Sequence, residues 1–237
     1  MNVIDVVILL LIGLAGVIGL KRGFFKQVVI TVGTILVFIL SFQLKDPIAD
    51  FLMSVLPFFN IIGNIKGVIV LNIILYQLLA FLIVSCLLTV ILNILIKVTG
   101  IFEKLLKFTI ILGIPSKILG FVVGVIEGYI LIFIALFFLN QPAVNIDIIN
   151  ESKLMPKILN STPLLTNVVS DMNDTIKDIY SLKEKYENIG NANKFNLEAL
   201  DVMLKYDIVK PSSVEKLIRN GKLSEINGID SVLNNYR

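Results

Sequence analysis

Residues 67–96 read GVIVLNIILYQLLAFLIVSCLLTVILNILI, thirty positions without a single charge. A helix crosses the hydrocarbon core of a bilayer with about 20 apolar residues. At about 1.5 Å per residue this run exceeds the core, and tilt or an interfacial first turn absorbs the excess. Three further blocks have the same character. Val3 to Leu20 carries only Asp5, Gln27 to Leu44 carries no charge, and Ile118 to Leu139 carries only Glu127. Four such blocks in succession, almost without a polar face, predict an all-α integral membrane protein. The expected spans are 3–20, 27–44, 70–93 and 118–139, a membrane domain over 1–139, and a polar helical C-terminal region over 140–237. A cleaved signal peptide fits the first block poorly, because its basic residues follow the apolar run instead of preceding it.

Mean hydropathy is +0.89 and charged residues make up 16% of the 237-residue chain, against about 25% in a soluble globule. The first 139 residues are net +4 and the remainder net −1. The positive excess lies between apolar blocks, where basic residues set orientation, so nucleic acid is not an expected partner. The single cysteine, Cys86, lies within an apolar block and reads as a small packing residue. Histidine is absent, which removes Ser-His-Asp triads, the usual zinc sites and intramembrane zinc proteolysis. An aspartyl counterpart needs two acids at one depth, and Asp5 and Glu127 are expected at different depths. No catalytic set, metal site or cofactor is expected, and the chain does not read as an enzyme.

The connections set the orientation. Lys21, Arg22 and Lys26 fall in the first, and Lys97, Lys104, Lys107 and Lys117 in the third. The second has only Lys45 and Lys66, beside Asp46 and Asp50. The positive-inside rule places the first and third connections in the cytoplasm and both termini outside. Lys21, Arg22, Lys26, Lys104, Lys107 and Lys117 are then cytoplasmic basic anchors. Arg22 could also act as a fixed donor fork for a carboxylate or a lipid phosphate. Residues 98–111 mix apolar residues with Glu103, Lys104 and Lys107 and read as an amphipathic stretch on the inner surface. Gly113 and Pro115 interrupt it.

Within the membrane, Gly13, Gly16 and Gly19 in the first block and Gly120, Gly124 and Gly128 in the fourth are candidates for close helix packing, or for a crossing point or pore lining. Glu127 lies about 15 Å along the helix from Lys117, near the midplane. An acid there is costly and faces a bundle interior or water. Two readings stay open: an ion or proton relay, or a protonated carboxyl bonded to Asn72, Gln77, Thr89 or Asn93. Asp5 is a second relay candidate, near a helix end where water can reach it.

Taken in order, Asp5, Lys21-Arg22-Gly23-Phe24, Ser116-Lys117-Ile118-Leu119-Gly120, the series Gly120, Gly124, Gly128, then Glu151-Ser152 and Ser161-Thr162-Pro163 resemble the colicin V production protein family. The resemblance covers about residues 1–170. It implies a four-span bacterial inner-membrane protein linked to the production or export of a peptide toxin. That family often has a basic residue just before the last glycine, where this chain has Glu127. Three function classes follow: an interaction or assembly factor, an oligomeric ion or proton channel or transporter, and, least supported, an enzyme. The expected partners are the lipid bilayer and further copies or other membrane proteins.

Pro142 is expected to mark the exit from the membrane, with a linker or short helices over 140–163. Ile176, Ile179, Leu182 and Tyr186 give a helical stripe over 171–188. Asn196 is expected to cap a helix over 197–206, and Pro211 to open another that Gly221 closes. About 40 residues are marginal for independent folding, so 195–237 is expected to pack on a partner or on the rest of the tail. The orientation is testable: a cysteine placed in the tail, in a chain lacking Cys86, is expected to react with an impermeant thiol reagent in intact cells. Protection from the reagent refutes the assignment.

Overall fold

The structure, a computed structural model, describes residues 2–61, 65–98, 101–140, 151–161 and 163–237, without the side chains of 101–103, 105–112, 163–165 and 167–168. The helices are α1 (Val3–Arg22), α2 (Phe24–Val55), α3 (Asn72–Val98), α4 (Ile101–Leu139), α5 (Leu154–Asn160), α6 (Pro163–Glu187), α7 (Ala192–Lys205), α8 (Pro211–Arg219) and α9 (Ile229–Leu233). No strand occurs among the described residues. Four helices are long and apolar enough to cross a membrane: α1, α2, α3 and Gly113–Leu139 of α4. The protein is an all-α membrane protein.

Local chemistry explains the boundaries. At the start of α1 the Asn2 side chain accepts from the Ile4 amide at 2.6 Å, and Asp5 accepts from the Asn2 amide at 3.1 Å. This reciprocal cap satisfies two of the amides a helix start leaves open. Gly23, at φ +77°, turns α1 into α2 in a single residue. Gly113, at φ +50°, kinks α4 two residues before Pro115. The sequence expectation ended the second span at Leu44, whereas α2 runs on to Val55. Lys45, Asp46 and Asp50 do not stop the helix because each has a partner in the chain. Pro142 lies outside the described residues, with the rest of 141–150; the later part of the 140–163 stretch holds the short helix α5.

The chain divides into two compact units, Met1–Leu40 with Ser85–Thr166, and Ser41–Val84 with Asn167–Arg237. This is not a division at 139/140. In the first unit Ile8, Phe133, Leu136 and Ile158 are buried, while Leu10, Leu87 and Ile94 are at least half exposed. Apolar side chains turned outward are what lipid contact requires. Tyr129 donates to the Ile158 carbonyl at 3.3 Å, fixing α5 on α4.

The second unit has a core of the kind found in soluble proteins. Phe195, Leu200, Met203, Val214, Leu223 and Leu233 of the tail surround Met53, Ile65, Val68, Val70 and Ile73. The connection between α2 and α3 thus completes a core the tail could not fill alone. Its backbone is held by side chains. Asn72 donates to the Phe59 and Ile69 carbonyls, each at 2.7 Å, and Tyr76 donates to the Pro57 carbonyl at 2.5 Å. Asn196 accepts from the Ile69 and Val70 amides, each at 3.2 Å, and donates to the Gly67 carbonyl at 2.8 Å. Asn196 is therefore not a cap. It lies inside α7, whose cap is Asn191, accepting from the Lys194 amide at 3.0 Å. Two tail lysines grip α2 and a third the residue after it: Lys210 binds Asp46 at 2.8 Å, Lys216 binds Asp50 at 3.0 Å, and Lys222 donates to the Leu56 carbonyl at 2.9 Å. The hydrogen bond to Asp46, together with that residue's charge, raises the Lys210 pKa above its ordinary value.

Replacing Asn196 with alanine orphans two amides and a carbonyl, at roughly 1–3 kcal/mol per buried group. Asn196→Ala is expected to lower the thermal unfolding midpoint and expose the 57–71 segment to proteolysis. Asn193→Ala, at a half-buried side chain that bonds Asn227, is the milder control.

Candidate functional site

The site begins with a backbone crossing. Ile12, Ala15, Gly16 and Gly19 fall at i, i+3, i+4 and i+7, one face of α1. Gly120, Gly124 and Gly128 repeat every fourth residue on α4. A methyl group added at Gly19 would overlap the Gly120 carbonyl oxygen, and one at Gly124 would lie 2.5 Å from the Ala15 carbonyl oxygen. At Gly128 it would meet the Ala15 side chain at 2.6 Å, at Gly16 the Phe121 ring at 2.7 Å, and at Gly120 the Gly19 carbonyl oxygen at 2.5 Å. Gly19, Gly120 and Gly124 therefore let α1 and α4 touch through their backbones, while Gly16 and Gly128 make room for side chains of the facing helix. Gly13 does not: an added methyl would meet nothing within 4 Å. It stands about 100° round the helix from Ile12 and off the crossing face.

Glu127 sits one residue before Gly128 and is 9% exposed. The Gln27 carboxamide donates to its Oε2 through a short hydrogen bond. Arg22 Nη1 lies 3.7 Å from the same oxygen and donates to Gln27 Oε1 at 3.4 Å. Gln27 Nε2 also lies 3.5 Å from Thr31 Oγ1, and Gln27 is fully buried. The Gly23 turn brings Arg22 and Gln27 to one carboxylate from two different helices. Gly23 also lies against α4, with its Cα 2.9 Å from a methyl built at Gly120. Ser116, 1% exposed, accepts from the Phe24 amide at 3.2 Å, an amide at a helix start with no acceptor in its own helix. One carboxylate thus joins α1, α2 and α4. In a low dielectric an unpaired charge is costly, and breaking such a pair costs more than the pair contributes.

The partners expected for Glu127 are corrected by this geometry. Asn72 holds the connection backbone, and Gln77 accepts from Lys45 at 2.8 Å. Thr89 donates to the Ser85 carbonyl at 2.7 Å, and Asn93 is exposed. The available signal was Gln27, a polar residue opening an otherwise apolar block five positions after Arg22.

Asp5 departs from its expected setting as well. Far from being reached by water, it is fully buried. Its Oδ1 accepts from Ser152 Oγ at 2.7 Å and from the Lys153 and Leu154 amides, each at 3.1 Å. With the Asn2 amide on Oδ2, this one side chain ties the start of α1 to the start of α5. Such a set of donors fixes the carboxyl group in place. Among the anchors, Lys21, Lys104 and Lys117 are exposed and Lys26 is half-buried. Arg22 turns toward Glu127, and the side chain of Lys107 lies outside the described residues.

Gly19→Ala is expected to destabilise the fold by about 1–3 kcal/mol, the usual cost of overpacking, and to lower the yield of folded protein in detergent. Gly13→Ala is expected to leave the unfolding midpoint unchanged. Equal behaviour of the two variants would show that the crossing does not hold the helices.

No curated protein and no solved structure matches the chain. The family model described as Colicin V production protein matches residues 4–163. That stretch contains Asp5 and Ser152, the Arg22–Gly23 turn, the glycine crossing and Glu127. The chain belongs to the colicin V production protein family.

Proposed function

We propose that this membrane protein is a non-enzymatic interaction or assembly factor for the production or export of a peptide toxin. In this reading it sits in the bacterial inner membrane with both termini outside the cytoplasm and works with further copies or with other membrane proteins. Family membership supports the link to toxin production. The excess of basic residues in the first and third connections supports the orientation. One observation carries the choice of class: Glu127 is bound by Gln27 and Arg22, so the intramembrane acid holds three helices together. An acid engaged in this way serves as a fixed joint.

A second reading, an oligomeric proton or ion path, draws on Arg22, whose side chain stays 35% exposed beside Glu127. Proton and monovalent-cation flux in proteoliposomes separates the two. Wild type and Glu127→Gln are both expected to give no flux above protein-free vesicles. Secreted toxin activity in a producing host is expected to fall on deletion of the gene, to return with wild type, and to return only in part with Glu127→Gln, which leaves the Arg22 charge without its partner. Flux in wild type that disappears in Glu127→Gln would replace the interaction reading with the conducting one.

A further inference from the structure

The part of α3 that belongs to the first unit, from Ser85 on, carries a polar side chain that its surroundings do not satisfy. Asn93 is exposed and forms no hydrogen bond among the described residues. Its carboxamide has two N–H donors and an acceptor oxygen, and hydrocarbon offers a partner to none of them. Two neighbours fix its depth. Lys97, the first charge beyond it, lies four residues or about 6 Å along the helix. Leu92 packs on α2, with its Cδ2 2.6 Å from a methyl built at Gly33, and Gly33 stands seven residues or about 10 Å from Lys26. Ile94, Leu95 and Val98, each more than half exposed, carry the apolar outer surface past Asn93 toward the end of the helix.

Asn93 shares its face with Thr89 and Cys86, four and seven residues earlier, both exposed. Thr89 donates to the Ser85 carbonyl at 2.7 Å, and its oxygen can still accept. Short side chains let a second helix come close enough for hydrogen bonds between helices. We propose that this face of α3 binds the same face of a second copy of the chain, with the two Asn93 carboxamides bonded to each other. All copies share one orientation in the membrane, so Asn93 recurs at one depth. A carboxamide is donor and acceptor at once and complements itself, and a two-fold axis sets like against like. The proposal names the partner in the reading given above, and rests only on its statement that the protein works with further copies.

The single cysteine supplies the probe. Cys86 stands about 20° round the helix from Asn93 and Ile91 about 160°, and both are exposed. Membranes from cells expressing the full chain are oxidised with copper phenanthroline and resolved without reductant. Wild type is expected to give a disulfide-linked product of twice the chain's mass. Ile91→Cys in a Cys86→Ala background is expected to give none. Asn93→Leu is expected to lower the yield at Cys86 about tenfold, the effect of one lost hydrogen bond between helices. No such product from wild type overturns the proposal, and so do equal yields from positions 86 and 91 or an unchanged yield in Asn93→Leu. A product of another mass in its place overturns it too and assigns the face to a different protein. The wild-type arm decides without any variant having to fold, and neither toxin activity nor ion flux enters the readout.

Discussion

Hydrocarbon supplies no water to a polar group, so each buried carboxylate in the spans must find its complement within the chain. That requirement organises the first unit. Glu127 can meet Arg22 and Gln27 only if α4 lies against the α1–α2 turn at backbone distance. The glycines provide that distance, since lipid offers no hydrophobic drive and association rests on close packing and hydrogen bonds. A methyl group at Gly19 or Gly124 would therefore do two kinds of damage. It would separate the helices, and it would withdraw a charged group from its partners. Packing and electrostatics are one constraint at this crossing.

The second unit meets a different requirement. Its core is built in the manner of a water-soluble domain, yet the tail alone is small for one. The connection between α2 and α3 supplies the missing apolar residues. An irregular segment in a core must have its peptide groups paired. Here Asn72, Tyr76, Asn196 and Lys222 take the place that strand neighbours would hold in a sheet.

How much of this the sequence displays depends on the range of each interaction. The spans are legible because membrane insertion reads local composition. Glu127 and Asp5 stand out as polar residues in apolar blocks. Their partners are hidden: Gln27 lies 100 residues from Glu127 and Ser152 lies 147 from Asp5, and no periodicity encodes such pairs. Gly13 and Gly16 look alike by composition, and only their angular position relative to Ile12 and Ala15 separates them. The far end of α2 is misread for a similar reason. Lys45, Asp46 and Asp50 look like the water-exposed end of a span until Lys210 and Lys216 are seen beside them. Asn196 has the composition of a cap but serves a backbone 127 residues earlier.

That last clamp orders events during synthesis. The segment Gly67–Val70 leaves the ribosome long before Asn196 does, and two spans must enter the membrane in the interval. Until the tail arrives on the same side of the bilayer, the connection has bare peptide groups and an unfilled core. The membrane helices can therefore assemble first, while the link between the second and third waits for the end of the chain. A nascent protein halted after α4 would hold its spans and lack this unit entirely.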